Sequence, residues 1–359
     1  SASEVREILS LDGKYNASAP YISQMDRFRQ FGITPEDVDS GNEIGNDADA
    51  AIPMREMFGQ GVDDGINFFR LTRGRTYNIA SPDPSGTGQE EGAIGVLLKG
   101  ISKPMTFDRR GATLKGFDSI RENSNPGAMF RYECASTLET DDPVRLDVIG
   151  GLLDVTDITP STPGVQTIGG EAFIGRFVLY QLDPMCDGGI TTPSGDNIGT
   201  GGGDQAWFYS NTAMAYVRNA WARGLPDLAF YLSNSGIKNF MIDGFHAERI
   251  GAGVVGVKRY ASGVHIRNWT AKECRRVIYN PTSDGSSVNM GGRMHIANGY
   301  ASKIQEIPID INAKAGFSTV DNVTLVDYGR RISDGTELTG ATGVMPAIRV
   351  RSPNCRVTN

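Results

Sequence analysis

The feature that most constrains the fold of this chain is a repeat in its second half. Five segments share one pattern of apolar and small residues, and they begin at Val217, Ile242, Ile266, Ile296 and Leu325. Subtracting successive start positions gives steps of 25, 24, 30 and 29 residues. Steps of this length are typical of solenoids, in which each repeat forms one coil that stacks on the next.

Two columns of the aligned segments are apolar throughout and lie two residues apart. One holds the five start residues, and the other holds Ala215, Phe240, Val264, Met294 and Val323. Because side chains alternate between the two faces of a strand, both columns belong to one face. The sequence therefore predicts neighbouring parallel strands of one sheet at residues 215–218, 240–243, 264–267, 294–297 and 323–326. A helical solenoid would need apolar residues at helical spacing, which these segments lack.

The next column consists of turn-forming residues, namely Asn219, Gly244, Asn268, Asn298 and Asp327. Such residues tolerate left-handed backbone geometry. We interpret the column as an asparagine ladder at a sharp turn between two sheets. Asn268 is expected to be buried, with its amide bonded to the backbone of an adjacent coil. Two further columns should face inward, one of them Ala222, Ala247, Ala271 and Ala301, the other Leu225, Ile250, Cys274, Ile304 and Ile332.

The first half repeats less clearly but shows an ordered series of elements. An Asp-rich run at 46–58 has the composition of a short helix, and strand–turn–strand patterns follow at 68–79 and 104–116. This order, carried by Asp47–Ile52, Arg73–Tyr77 and Gly111–Gly116, resembles the opening of the pectate-lyase-like superfamily, including phage tailspike proteins. The chain departs from that pattern in two places: Arg73 stands where the superfamily has a proline, and the helix carries an unusual Pro53.

The resemblance implies an all-β fold, a right-handed parallel β-helix (solenoid) with a short N-terminal helical cap. Residues 1–45 would form a cap or docking segment and residues 46–359 the β-helix domain. Long loops are expected at 183–206, 280–293 and 333–346, where they could wall a ligand groove. The resemblance also implies a virion or extracellular location, a polysaccharide or surface glycan as partner, and a possible homotrimer.

Composition argues against several other classes of function. The net charge is −7, and no cluster of Lys and Arg suggests a nucleic-acid partner. No apolar stretch reaches the roughly 18 residues that suggest a membrane span, and residues 1–6 do not read as a signal peptide. The four cysteines show no metal-binding spacing and are expected to be reduced. No cofactor or metal motif is present, so neither is expected.

The candidate site lies on the outward face of the repeat. His265 and His295 share one outward column, and Arg218, Asp243 and Arg267 form the next. Arginine can neutralise a uronate carboxylate and so acidify its α-proton, which a histidine or second arginine could remove. We assign Asp243, His265 and Arg267 as catalytic and Tyr216, Arg218, His295 and Trp269 as substrate-binding. The alternative is a structural Arg–Asp–Arg ladder beside two surface histidines.

Hydrolysis by paired carboxylates is the other possible chemistry. Its candidates are Glu139, Asp141, Asp142, Asp183, Asp187, Asp196 and Asp204. Aromatic residues that could stack on sugars are Trp207, Tyr209, Trp221, Trp269 and Tyr300. The sequence thus predicts a protein that binds and degrades polysaccharide as a lyase or glycoside hydrolase. The alternative function is a non-catalytic virion spike or decoration protein.

Overall fold

The computed structural model describes a large part of the chain. The described residues are 49–52, 54–55, 58–59, 67–83, 94–117, 120, 128–138, 140–158, 169–190, 206–233, 237–258, 261–280, 293–311, 317–330, 339–340, 343–344, 346–350 and 354–358. The expected cap at 1–45 and much of the three expected loops lie outside these ranges.

Nearly all regular structure in the described part is β-strand. The strands are β1 (Phe68–Arg70), β2 (Thr76–Ile79), β3 (Ile94–Ile101), β4 (Met105–Asp108), β5 (Thr113–Phe117), β6 (Ala128–Cys134), β7 (Val144–Ile149), β8 (Leu152–Asp157), β9 (Gly169–Ile174), β10 (Phe177–Leu182), β11 (Met185–Asp187), β12 (Trp207–Ser210), β13 (Met214–Arg223), β14 (Leu228–Ser233), β15 (Lys238–Glu248), β16 (Gly253–Lys258), β17 (Ser262–Lys272), β18 (Ile278–Tyr279), β19 (Met294–Ile304), β20 (Ile309–Ile311), β21 (Thr319–Tyr328), β22 (Thr339–Gly340), β23 (Gly343–Val344), β24 (Ile348–Val350) and β25 (Arg356–Thr358).

These strands form two long parallel sheets. The first follows the order β1-β4-β7-β10-β13-β15-β17-β19-β21-β25, with β2, β5, β8 and β11 joined to it, and the second follows β24-β20-β18-β16-β14-β12-β9-β6-β3. Each circuit of the chain adds one strand to each sheet beside the strand of the preceding circuit. The prediction of a parallel β-helix is therefore confirmed. Among the described strands, only the hairpin β22–β23 is antiparallel.

A short helix precedes the first coil, as the Asp-rich run predicts. Residues 51–52, 54–55 and 58–59 are helical, and the Asp49 carboxylate accepts the backbone N–H of Ala51 at 3.0 Å. A carboxylate that receives an otherwise unpaired N–H stabilises the start of a helix. Phe58 packs edge-on against Phe69 and Phe107, with ring centroids 4.8 and 5.1 Å away. The helix is thus anchored to the apolar interior of the first coils.

The five predicted strands are neighbours in the first sheet, as β13, β15, β17, β19 and β21. The predicted alignment holds for four of them, since Val217 pairs with Ile242, Ile242 with Ile266, and Ile266 with Ile296. It is wrong for the fifth, because Ile296 pairs with Val320 and Leu325 pairs with Ala301. Val320 and Leu325 are both branched aliphatic residues followed two residues later by Asn or Asp, so these two columns of the pattern fit both positions.

The turn column is a left-handed bend, as predicted, but it lies within the first sheet and not between two sheets. Pairing aligns Gly150, Asp183, Asn219, Gly244, Asn268, Asn298 and Asn322, and all of them have φ between 50° and 85°. We call this series the bend column. Asp327 belongs instead to a second left-handed series with Arg249, Glu273 and Lys303.

The expected environment of Asn268 is wrong. Its side chain is exposed, and its amide donates to the carboxylate of Asp243 at 2.7 Å rather than to backbone. Arg267 faces outward, and the left-handed Asn268 that follows it faces outward as well, so that Trp269 is the next residue to point inward. The inward columns after the bend are confirmed, since Ala222, Ala247, Ala271, Ala301, Leu225, Ile250, Cys274 and Ile304 are all buried. Ile332 lies outside the described residues.

Trp269 fills the interior beside a glycine of the next coil. Its ring stacks on Phe245 with centroids 5.8 Å apart, and Gly299 is its partner across the β17–β19 pair. A Cβ atom built on Gly299 would lie 2.0 Å from the ring carbons of Trp269. The absent side chain of Gly299 therefore provides the space that the indole occupies.

Replacing Gly299 by Ala should destabilise the protein, because the added methyl overlaps a buried ring. Overpacking of this kind costs about 1–3 kcal/mol of unfolding free energy, measurable by urea denaturation. Gly256→Ala is the matched control, since its Cβ would meet the end of the flexible Leu228 side chain at 3.1 and 3.2 Å and a Tyr279 ring carbon at 3.6 Å. Equal stability of the two variants would contradict this account of the interior.

Candidate functional site

The outward side chains of the first sheet form two adjacent columns before the bend. Strand pairing aligns the first column as Asp147, Tyr180, Tyr216, Met241, His265, His295 and Thr319. It aligns the second as Arg218, Asp243, Arg267, Ala297 and Asp321. We call these two columns the outer face. The structure thus brings together six of the seven predicted site residues, and the exception is Trp269.

Asp243 is the centre of the hydrogen bonds on this face. Its Oδ2 accepts from Arg267 Nη2 at 2.8 Å and from the Tyr216 hydroxyl at 3.4 Å, and its Oδ1 accepts from Asn268. The bond from Arg267, supported by the bond from Asn268, lowers the pKa of Asp243 below its usual value. Asp243 is therefore held as a carboxylate and is poorly suited to serve as an acid.

His265 and His295 stack face to face on neighbouring coils. Their ring centroids are 4.7 Å apart at an interplanar angle of 20°, and His295 Nδ1 lies 3.1 Å from Thr319 Oγ1. Partial burial lowers the pKa of His265, and the nearby His295 and Arg267 lower it further. A neutral imidazole is thereby favoured at position 265, and a neutral imidazole can accept a proton.

Arg218 differs from the other arginine of its column. Its Cα is the register partner of Asp243, and its side chain is exposed. In the described part of the chain its guanidinium forms no hydrogen bond or ion pair, whereas the guanidinium of Arg267 is held by Asp243. The predicted proximity of Arg218 to Asp243 is confirmed for the backbone, and its guanidinium is open to an anionic ligand.

Sequence reasoning missed the extension of this face into the first half. Tyr180 lies beside Tyr216 with centroids 6.3 Å apart, and the Arg145 guanidinium lies 4.9 Å from the Tyr180 ring centroid. Arg145 also bonds Asp147 at 3.0 Å. The alternating apolar pattern of Phe177–Leu182 could have identified this coil. Its register partners in β13 lie 36 residues further along the chain, as Val178 and Met214 do, and this longer repeat length hid the coil from the sequence alignment of the repeats.

Three of the aromatic candidates are in the core. Trp269 has 1% of its surface exposed, and Trp207 and Tyr209 are fully buried. Assigning Trp269 to substrate binding is therefore wrong. The bend at Asn268 shifts the inward–outward alternation by one residue, so Trp269 faces the core. Tyr300 is exposed and Trp221 is partly exposed, but both follow the bend and face another side of the coil.

Three of the four described loop carboxylates, all except the exposed Asp142, have structural partners. Asp183 accepts from the Asn219 amide at 3.0 Å, Asp187 pairs with Arg223, and Asp141 accepts two backbone N–H groups. Glu139, Asp196 and Asp204 lie outside the described residues. Within the described ranges, no group of three or more His, Cys, Asp or Glu residues is arranged to hold a metal. Nor does the described part contain a helix long and apolar enough to cross a membrane.

Comparison with known proteins places this fold among the parallel β-helix proteins. No family model matches the sequence, and no curated protein matches it. A tailspike protein mutant of Escherichia coli bacteriophage HK620, solved with a pentasaccharide, is similar with a TM-score of 0.54 at 12% identity, covering 80% of this chain and 49% of that one. Another structure of that tailspike with a pentasaccharide has a TM-score of 0.53 at 11% identity, with 90% and 63% covered.

The A-module of a mannuronan C-5 epimerase from Azotobacter vinelandii is also matched, with a TM-score of 0.34, 13% identity and coverage of 92% and 97%. The chain spans about half to under two thirds of the two tailspike structures. The similarity to the tailspike structures confirms the predicted resemblance at the level of fold.

The environment of His265 can be tested by NMR titration of the three histidines. We expect a pKa for His265 below the ordinary value of about 6.5. His295→Ala should raise it, because removing the stacked ring admits water and removes a neighbouring charge. Single His→Ala variants provide the assignments. A pKa of His265 that is unchanged by His295→Ala would contradict the stacked geometry.

Proposed function

We propose that this protein binds an acidic polysaccharide along the outer face and cleaves it by β-elimination. The observation that carries the proposal is the Arg218–Asp243–Arg267 column beside the Tyr216–Met241–His265 column. At ~4.8 Å between coils, the five residues from Tyr180 to His295 extend over about 19 Å. A surface of this length suits an extended chain better than a single small ligand.

The residues of this face fit the needs of an elimination. Arg218 would pair with the carboxylate of a uronate, which withdraws charge and acidifies the adjacent C–H. His265, neutral because its pKa is lowered, would accept that proton. The bond to the leaving glycosidic oxygen then breaks, a carbon–carbon double bond forms in the sugar, and the oxygen takes a proton from water. Asp243 would hold Arg267 in position beside the reacting sugar.

Hydrolysis fits the described part of the face less well. On the outer face, Asp147 lies three coils from Asp243, and Asp243 lies three coils from Asp321. Three coils correspond to about 14 Å, whereas catalytic carboxylate pairs are roughly 5–9.5 Å apart. The geometry of these residues therefore supports a lyase in preference to a glycoside hydrolase.

A non-catalytic virion spike is the second candidate function. The similar tailspike is a phage protein solved with an oligosaccharide, and the contacts of Asp243 could equally serve as a stabilising ladder. A virion location and a homotrimer remain predictions here. Sedimentation analysis that shows a monomer over a wide concentration range would count against assembly of this kind.

The proposed activity predicts that Arg267→Ala and His265→Ala each lower turnover at least tenfold without lowering the melting temperature. The assay is incubation with an array of uronate polysaccharides, with detection of the unsaturated product by its ultraviolet absorbance. Lys272→Ala is the control, because Lys272 lies on the same strand and also faces a carboxylate, but follows the bend.

The spike function predicts a different result for the same variants. Both would then be mildly destabilised, and no unsaturated product would form even with a polysaccharide that binds. Reducing ends released without ultraviolet absorbance would indicate hydrolysis and would contradict the proposed elimination.

A further inference from the structure

We propose that Gly244 forms a notch in the bend column that selects the ligand, by admitting the acidic group of a sugar next to Arg218. This inference rests on the proposed function and specifies how that site would choose its ligand. On the two neighbouring coils, the bend column carries the asparagine side chains of Asn219 and Asn268, whereas Gly244 between them has no side chain.

The two glycines of the bend column, Gly150 and Gly244, differ in whether packing leaves room for a side chain. A Cβ on Gly150 would lie 2.6 Å from Cγ of Arg110, so packing excludes a side chain there. A Cβ on Gly244 would meet only the exposed Asn219 Oδ1 at 3.1 Å, and the next atom is 3.5 Å away. The left-handed φ of 85° favours glycine, but four other coils carry asparagine at the same position with φ between 51° and 58°. Packing therefore does not explain Gly244, and asparagine is compatible with a left-handed bend at this place in the coil.

The notch also divides the ladder of side-chain hydrogen bonds. On one side Asn322 donates to Asn298 at 2.9 Å, Asn298 to Asn268 at 3.2 Å, and Asn268 to Asp243 at 2.7 Å. On the other side Asn219 donates to Asp183. Each part ends on a carboxylate, because Gly244 supplies no amide to continue the series. One consequence is that Asp243 receives the Asn268 amide, which helps keep it ionised.

Charge identifies the kind of group that the notch would accept. Gly244 follows Asp243 directly, and the coils on either side carry the Arg218–Asn219 and Arg267–Asn268 pairs. Asp243 already neutralises Arg267, whereas Arg218 is exposed and forms no ion pair among the described residues. One uncompensated guanidinium beside an open position suits a carboxylate, which arginine can bind through two parallel hydrogen bonds.

The test is Gly244→Asn. Asparagine tolerates the left-handed backbone, and its amide could link Asn268 to Asn219, so we expect an unchanged or higher melting temperature. We also expect at least a tenfold loss of affinity for an acidic oligosaccharide, measured by calorimetry. The probes are oligogalacturonate, oligomannuronate, oligoguluronate and oligoglucuronate, followed by the carboxyl-reduced form of whichever binds best.

Gly244→Ala separates filling of the notch from backbone strain. Alanine is strained at positive φ but adds only a methyl group, so the melting temperature should fall while affinity stays within threefold of wild type. Arg218→Ala should lose affinity for the acidic oligosaccharide to the same extent as Gly244→Asn. The weaker affinity for the carboxyl-reduced probe should be the same in Arg218→Ala as in the wild type.

Each outcome distinguishes this inference from the proposed function. Wild-type affinity in Gly244→Asn, with binding still lost in Arg267→Ala, overturns the notch and leaves the glycan site standing. Equal loss in the Ala and Asn variants would assign the effect to strain and would also overturn the notch. Failure of the wild type to bind any of the four probes would overturn both the proposed acidic ligand and the notch.

Discussion

The structure depends on one backbone constraint, the left-handed residue at the bend of every coil from Gly150 to Asn322. Such a conformation costs an ordinary L-residue roughly 1–2 kcal/mol, whereas glycine and asparagine adopt it readily. Because parallel strands pair in register, a bend made in one coil must be repeated at the same place in the next. The residues of the bend column therefore fix where each strand changes direction, and the paired strands around them share that register.

The interior satisfies a different constraint, since polar groups enclosed by the coils must find partners there. Arg109 and Glu171 are completely buried and form two hydrogen bonds, at 2.6 and 3.2 Å. Glu171 also accepts from the side chains of Tyr132, Gln181 and Trp207. Leaving one member of such a pair alone would cost about 3–5 kcal/mol. The complete set of partners marks this network as structural, in contrast to the exposed Arg218 on the outer face.

The sequence predicted the regular part of this fold and failed where the strands stop alternating simply. The coils from β13 onward were visible because apolar pairs and asparagines recur within short steps. Earlier coils were not, because the steps there are longer, such as the 41 residues from Thr106 to Asp147. The Arg109–Glu171 pair could not be predicted either, since its members are 62 residues apart and meet only through the stacking of coils.

Two errors at the candidate site have one cause. Unbroken alternation from Ile266 would place Asn268 inside and Trp269 outside, and those were the positions predicted. The left-handed bend makes Arg267 and Asn268 successive outward residues and turns Trp269 into the core. Six of the seven assigned residues nevertheless lie on the outer face, because the bend affects only positions that follow it.

The same break in alternation gives the outer face its chemistry. A regular strand would present only every second residue to solvent. At the bend, the residue before the left-handed position and the left-handed residue itself both face outward, so the column of Arg218, Asp243 and Arg267 lies directly beside the bend column. Asp243 receives one bond from each of these two columns, from Arg267 and from Asn268. A fold requirement, the closing of the coil, thus produces the dense polar edge on which the proposed ligand site is built.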